Sequence, residues 1–189
     1  MDERTVLILV SIATVAATFA GFSGVVAVFG RRAHGEWLLE DRFRLVNMLV
    51  TSLGACLFAL IPIVALLLHV DGPSLWEVSS LLMFVYGVAY IATLLPHWWH
   101  ILSLHPGVLS PVASVVVLSS STLTAGLQLL NAVSVVFHRE AGPYVLGLVL
   151  YLVIAGLQFS LLVLRPLKAH RAHAHLGEAE QDPVFSKRD

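Results

Sequence analysis

The chain has one cysteine, Cys56, in 189 residues. No disulfide can form within it, and cysteine usage says nothing about its compartment. Charge is scarce as well. Asp, Glu, Lys and Arg make up 12% of the residues, against roughly 25% in soluble domains, which need a polar surface. The net charge is −1, so no strong field exists to attract nucleic acid, and no nucleic-acid partner is expected. Acids and bases are also missing where transport chemistry would use them. No Asp, Glu, Lys or Arg is expected deep in any apolar block, which argues against a proton-coupled transporter or pump. A membrane hydrolase is disfavoured for the same reason, because no acid–base pair stands at depth. The serines at 119–121 have no His or Lys nearby in sequence. An enzyme is not expected, and neither is a cofactor.

What the chain has is apolar length. Hydrophobic residues make up 58% of it, with a mean hydropathy of +0.86. They fall in blocks of about the 20 residues that a helix needs to cross a bilayer. In hydrocarbon the backbone must satisfy itself within each segment, so the blocks read as helices. The expectation is an all-α polytopic membrane protein, a bundle of five transmembrane helices over 1–165, followed by a polar and largely disordered tail over 166–189. The spans read as 5–29, 44–69, 74–95, 111–137 and 143–164. The start, "MDERTV", lacks the basic region of a signal peptide, so the first block reads as an uncleaved span. Ser74 and Glu77 have capping-box spacing at the start of the third span. Pro111 suits the first position of the fourth. Pro62 removes a donor from the second and frees the carbonyl of Phe58.

Orientation follows from loop charge. Arg31, Arg32, Arg42 and Arg44 lie between the first and second spans. Arg165, Lys168, Arg171, Lys187 and Arg188 follow the fifth. Five crossings put both groups on one side, so the N-terminus is expected outside and the C-terminus in the cytoplasm, in a bacterial inner membrane. Trp76 is expected at the outer interface, with Trp98 and Trp99 at the inner one. The stretch 35–45 is amphipathic and reads as an interfacial start to the second helix.

Three constellations are candidates for function. In the first span Ser11, Thr14, Thr18 and Gly21 share one face, and Ala17/Gly21 and Ala20/Gly24 form small-x-x-x-small pairs. Such residues let helices approach closely where no hydrophobic force drives association. They read as a packing face at the centre of the bundle or as a pore lining in a homo-oligomer. In the fourth span Ser114, Ser121, Thr124, Gln128 and Asn131 form a polar stripe. A carboxamide cannot satisfy all its donors and acceptors on its own helix. Gln128 and Asn131 therefore need partners, and Asn47, Ser52 and Gln158 are candidates. An interhelical network is the first reading and a hydrophilic pathway the second. His97/His100 and His170/His173 have the i,i+3 spacing that puts two imidazoles on one helical face. They read first as interfacial polar residues, then as a pH-sensing or metal-binding element.

The functional expectation is an oligomeric channel or pore for small ions or solutes. The alternatives are a membrane scaffold or sensor subunit that works by binding a partner, and a His-based metal-binding membrane protein.

Overall fold

The computed structural model describes residues 1–34, 39–104 and 111–180, with side chains for 1–28, 41–100, 103 and 111–163. Its helices are α1 (Glu3–His34), α2 (Leu39–Leu67), α3 (Gly72–Leu104), α4 (Pro111–Ala132) and α5 (Ala141–Glu180). All five are long and apolar enough to cross a membrane. Large aliphatic side chains such as Leu57, Val85 and Val115 face outward, while Asn47, Thr51, Ser80, Thr124, Gln128 and Asn131 are buried. A polar interior inside an apolar exterior fits an integral membrane protein. The side chains of the expected tail, 166–189, lie outside the described residues.

The central helix is α5, which packs against each of the other four. Helix α1 was expected at the centre because of its small residues, and the structure corrects this. It packs on α2 and α5 alone among the stronger contacts and lies at the edge. Its buried face is Leu9, Ile12, Ala13, Ala16 and Ser23. Phe19 and Phe22 meet Phe159 of α5 with ring centroids 6.0 and 5.8 Å apart. Small residues permit close approach but do not specify which helix approaches.

Local chemistry explains several helix ends. At the start of α1, Asp2 stands just before the first turn and accepts a hydrogen bond from the Thr5 hydroxyl. That bond holds the Asp2 carboxyl below its ordinary value. Helix α2 closes with a Schellman motif. The Val70 N–H reaches the Ala65 carbonyl at 3.0 Å and the His69 N–H reaches Leu66 at 3.0 Å. His69 takes the left-handed position, φ 65°, which glycine fills at lower cost. His69→Gly is therefore expected to raise stability by about 0.5–1 kcal/mol in detergent unfolding.

Several ends differ from expectation, α1 running on to His34 and α5 to Glu180, and three bear on the packing. Helix α3 runs through Pro96 to Leu104; membrane helices tolerate an interior proline where neighbours take up the freed groups. Helix α4 stops at Ala132, because Ser134 adopts φ 57° and the Val135 N–H turns back to Leu130. The third difference is at the start of α3, which begins at Gly72, two residues early. Glu77 closes no capping box there, and instead pairs with Arg139 at 3.1 Å. Trp76, expected at the outer interface, faces inward toward α5. It is buried, with its ring centroid 5.6 Å from that of Tyr144.

Helix α2 continues through Pro62, and the carbonyl that Pro62 cannot serve is taken from outside. The Tyr144 hydroxyl of α5 donates to Phe58 O at 2.6 Å. Tyr144→Phe should therefore cost about 1–2 kcal/mol. In a Pro62→Ala background residue 62 regains its N–H, and the same change should cost about half as much. A double-mutant cycle in mixed micelles reads this coupling.

Candidate functional site: the polar interior and the outer face of α1

The interior polar groups form a column along the bundle, held by α2, α3, α4 and α5. At the end that carries the α1–α2 and α3–α4 connections, Arg44 is 7% exposed and Gln158 4% exposed. With Phe43, Trp98, Ala113, Ser114, Val117 and Leu161 they line a cleft of about 20 Å³. One helical turn further, the Tyr90 hydroxyl donates to Asn47 Oδ1. Next comes a level of aromatic rings. Tyr86 donates to Val50 O at 2.8 Å and lies over Gly54, where an added Cβ would sit 2.7 Å from its oxygen. Tyr151 meets Tyr86 and Tyr90 edge-on, with centroids 6.0 and 6.4 Å apart. All four tyrosines of the chain thus lie at the α2–α3–α5 contact, spaced i,i+4 on α3 and i,i+7 on α5. Sequence reading singled out none of them, although that spacing was the available signal.

The stripe on α4 forms the other half of the column. Ser121, Thr124, Gln128 and Asn131 are buried, and Ser114 is half-buried. The expected interhelical network exists, with different partners. Gln128 Nε2 donates to Pro143 O at 3.0 Å, and Asn131 Nδ2 donates to Ser80 Oγ at 2.9 Å. Asn131 also brackets Glu140, donating to its carbonyl and accepting from its N–H, both at 3.0 Å. Glu140 is the residue before α5, so one α4 side chain fixes where α5 begins. The expected partners sit elsewhere for a geometric reason. Helices α2 and α4 run in the same direction, so Asn47 and Ser52, early in α2, lie toward the opposite end from Asn131. Gln158 lies far down α5 from Pro143. Ser80 is the partner that sequence reading missed.

Thr124 Oγ1, Gln128 Oε1 and Tyr151 OH are buried with no hydrogen-bond partner among the described residues. Among those residues the interior holds hydroxyls, carboxamides and one guanidinium, but no carboxylate or imidazole. Such a column can pack, orient and hydrogen-bond. It offers no acid–base pair.

Arg44, read from the sequence as the first residue of the second span and one of the charges on the side of the C-terminus, is buried in the first turns of α2. Its neighbours Arg42 and Asp41 hid the signal, since a run of charges reads as solvated.

The face of α1 carrying Ser11, Thr14, Thr18, Gly21 and Gly24 points away from the bundle, and all five residues are exposed. The three hydroxyls donate to carbonyls of their own helix, Leu7, Val10 and Thr14, at 2.8, 2.9 and 2.9 Å. A Cβ added at Gly21 or Gly24 would meet nothing within 4 Å. His97 and His100 are exposed on α3, and the His97 ring contacts the Thr93 carbonyl through Nδ1 at 2.9 Å. The side chains of His170 and His173 lie outside the described residues. Among the described residues no group of three potential metal ligands forms.

No protein family, curated protein or solved structure matches the chain.

Proposed function

We propose that this protein is a subunit of a homo-oligomeric membrane channel, with a path for small ions or solutes between copies and lined by α1. The observation that carries the reading is the outward line of Ser11, Thr14, Thr18, Gly21 and Gly24, exposed on the outside of a bundle that buries polar residues of its other helices. The cleft between Arg44 and Gln158, of about 20 Å³, accommodates about one water. The chemistry of the outer line agrees with a path between copies. Each hydroxyl gives its proton to its own helix and keeps its oxygen lone pairs facing out. A ring of such oxygens accepts from water and favours cations over anions.

The test is reconstitution into liposomes, with flux followed for small cations and anions and the oligomeric state measured on the same sample. Cation flux from an oligomer supports the proposal. A monomer that passes nothing contradicts it.

The same face favours a second reading. Self-satisfied hydroxyls and bare glycines also suit a dry helix–helix contact, as in a scaffold or sensor subunit. In that case the protein assembles but passes no ions.

A further inference from the structure

We infer that the connection between α4 and α5 is a lipid-binding surface, with Val133, Val135 and Val136 seated in the leaflet where hydrocarbon meets headgroups. The three valines are 53%, 72% and 57% exposed. This follows from α3 and α4 as bilayer spans and does not involve the pore. Hydrogen bonds place the connection along the bundle. Asn131 reaches Ser80 Oγ of α3 and both backbone groups of Glu140, so the chain leaves α4 and enters α5 at the level of Ser80. Ser80 is eight residues beyond Gly72, where α3 starts, which is about 12 Å along the helix. Tyr144, in the first turn of α5, reaches the Phe58 carbonyl, nine residues and about 14 Å short of Leu67, the end of α2. The α2–α3 turn therefore projects past the α4–α5 connection, which lies beside the first turns of α3.

Helix length sets the depth. Helix α4 has 22 residues, about 33 Å, close to the roughly 30 Å of a hydrocarbon core. Its end at Ala132 thus reaches the boundary of the core and goes little further. The chain then turns back, with left-handed positions at Ser134 and Arg139, φ 57° and 58°. The chemistry of the connection agrees with that depth. Arg139 turns to Glu77 of α3, at 3.1 Å, while the three valines stay uncovered by the protein's own helices. At the headgroup boundary a paired charge is tolerated, and apolar side chains gain by entering the acyl region. In water the same valines would form an exposed apolar patch with nothing to bury it. The tip of the α2–α3 turn, further out, presents His69, Asp71, Pro73 and Ser74.

The experiment uses the full chain in phosphatidylcholine vesicles. Cys56, the only cysteine, is replaced by Ser. The single-cysteine variants Val136→Cys and Asp71→Cys then each carry a nitroxide spin label. Collision with oxygen, which concentrates in hydrocarbon, is compared with collision with a water-soluble nickel chelate. The ratio of oxygen to chelate collisions should be several-fold higher at 136 than at 71. Val133→Cys and Val135→Cys should give the same high ratio, and they serve in place of the 136 variant if that one misfolds. Chelate access at 136 equal to that at 71 would put the connection in water and overturn the proposal. Low access to both reagents would mean that another protein surface covers the valines, and would overturn it too. The valines lie off α1, so the result holds whether or not the protein conducts.

Discussion

Asn131→Leu is expected to destabilise the protein by about 2–4 kcal/mol, one of the two largest single-residue effects foreseen here. The change keeps the number and branching of the side-chain heavy atoms and removes three hydrogen bonds at once. Ser80 Oγ loses a donor, and the Glu140 N–H and carbonyl both lose their partner. An orphaned buried polar group costs about 1–3 kcal/mol, though single interhelical bonds in membranes average nearer 0.6. The larger figure applies because Asn131 also sets the register of the segment entering α5. Asn131→Asp should fall between, since it keeps the acceptor for the Glu140 N–H and loses both donated bonds. Reversible unfolding in mixed micelles measures both variants. A cost under 1 kcal/mol for the leucine variant would show that the 132–140 segment is held by other contacts.

Gly147→Leu is the second large effect, about 2–4 kcal/mol. A Cβ at Gly147 would lie 2.5 Å from Gln128 Nε2, 3.0 Å from Met83 Cε and 3.2 Å from Thr124 Cγ2. Its neighbours come from two helices, so no single side chain can step aside, and Gln128 must also give up its bond to Pro143. Two other glycines are the controls. Gly156→Ala meets only Phe19 Cζ at 3.6 Å, an ordinary contact, and should be close to neutral. Gly24→Leu meets nothing in its own chain. It should leave protomer stability unchanged and prevent assembly. The same substitution type thus separates a glycine that the fold needs from one that serves a neighbour.

These contrasts also mark what could be read from the sequence. The five spans were legible because each apolar block matches a bilayer in length and is interrupted by Gly-Pro, Pro or polar residues. The carbonyl of Phe58 was legible as an unsatisfied acceptor, because Pro62 removes its donor by covalent geometry. That Tyr144 supplies the hydrogen bond was not, since it depends on how α5 packs on α2. Burial of Gln128 and Asn131 was legible from the cost of a carboxamide in lipid. Their partners depend on helix register, which hydropathy does not encode. Pro96 reads as a stop, yet α3 passes through it. Arg44 reads as a charge at the mouth of the second span, and its burial depends on how the helices pack around it. On α1 the small residues read as a packing face, and the sequence did not show that Ser11, Thr14, Thr18, Gly21 and Gly24 point away from the protomer's own bundle.

The central claim is that the Ser11–Thr14–Thr18–Gly21 face of α1 meets the same face of another copy. Cysteine cross-linking in the membrane tests this most directly. Cys56, the only cysteine, is first replaced by Ser. Thr18→Cys is then placed on the outward face of α1, and Val85→Cys on an exposed face of α3, as a control that is 58% exposed. Under mild oxidation Thr18→Cys should form a covalent dimer and Val85→Cys should remain monomeric. A Thr18→Cys protein that stays monomeric, or cross-links no faster than the α3 control, would contradict the account.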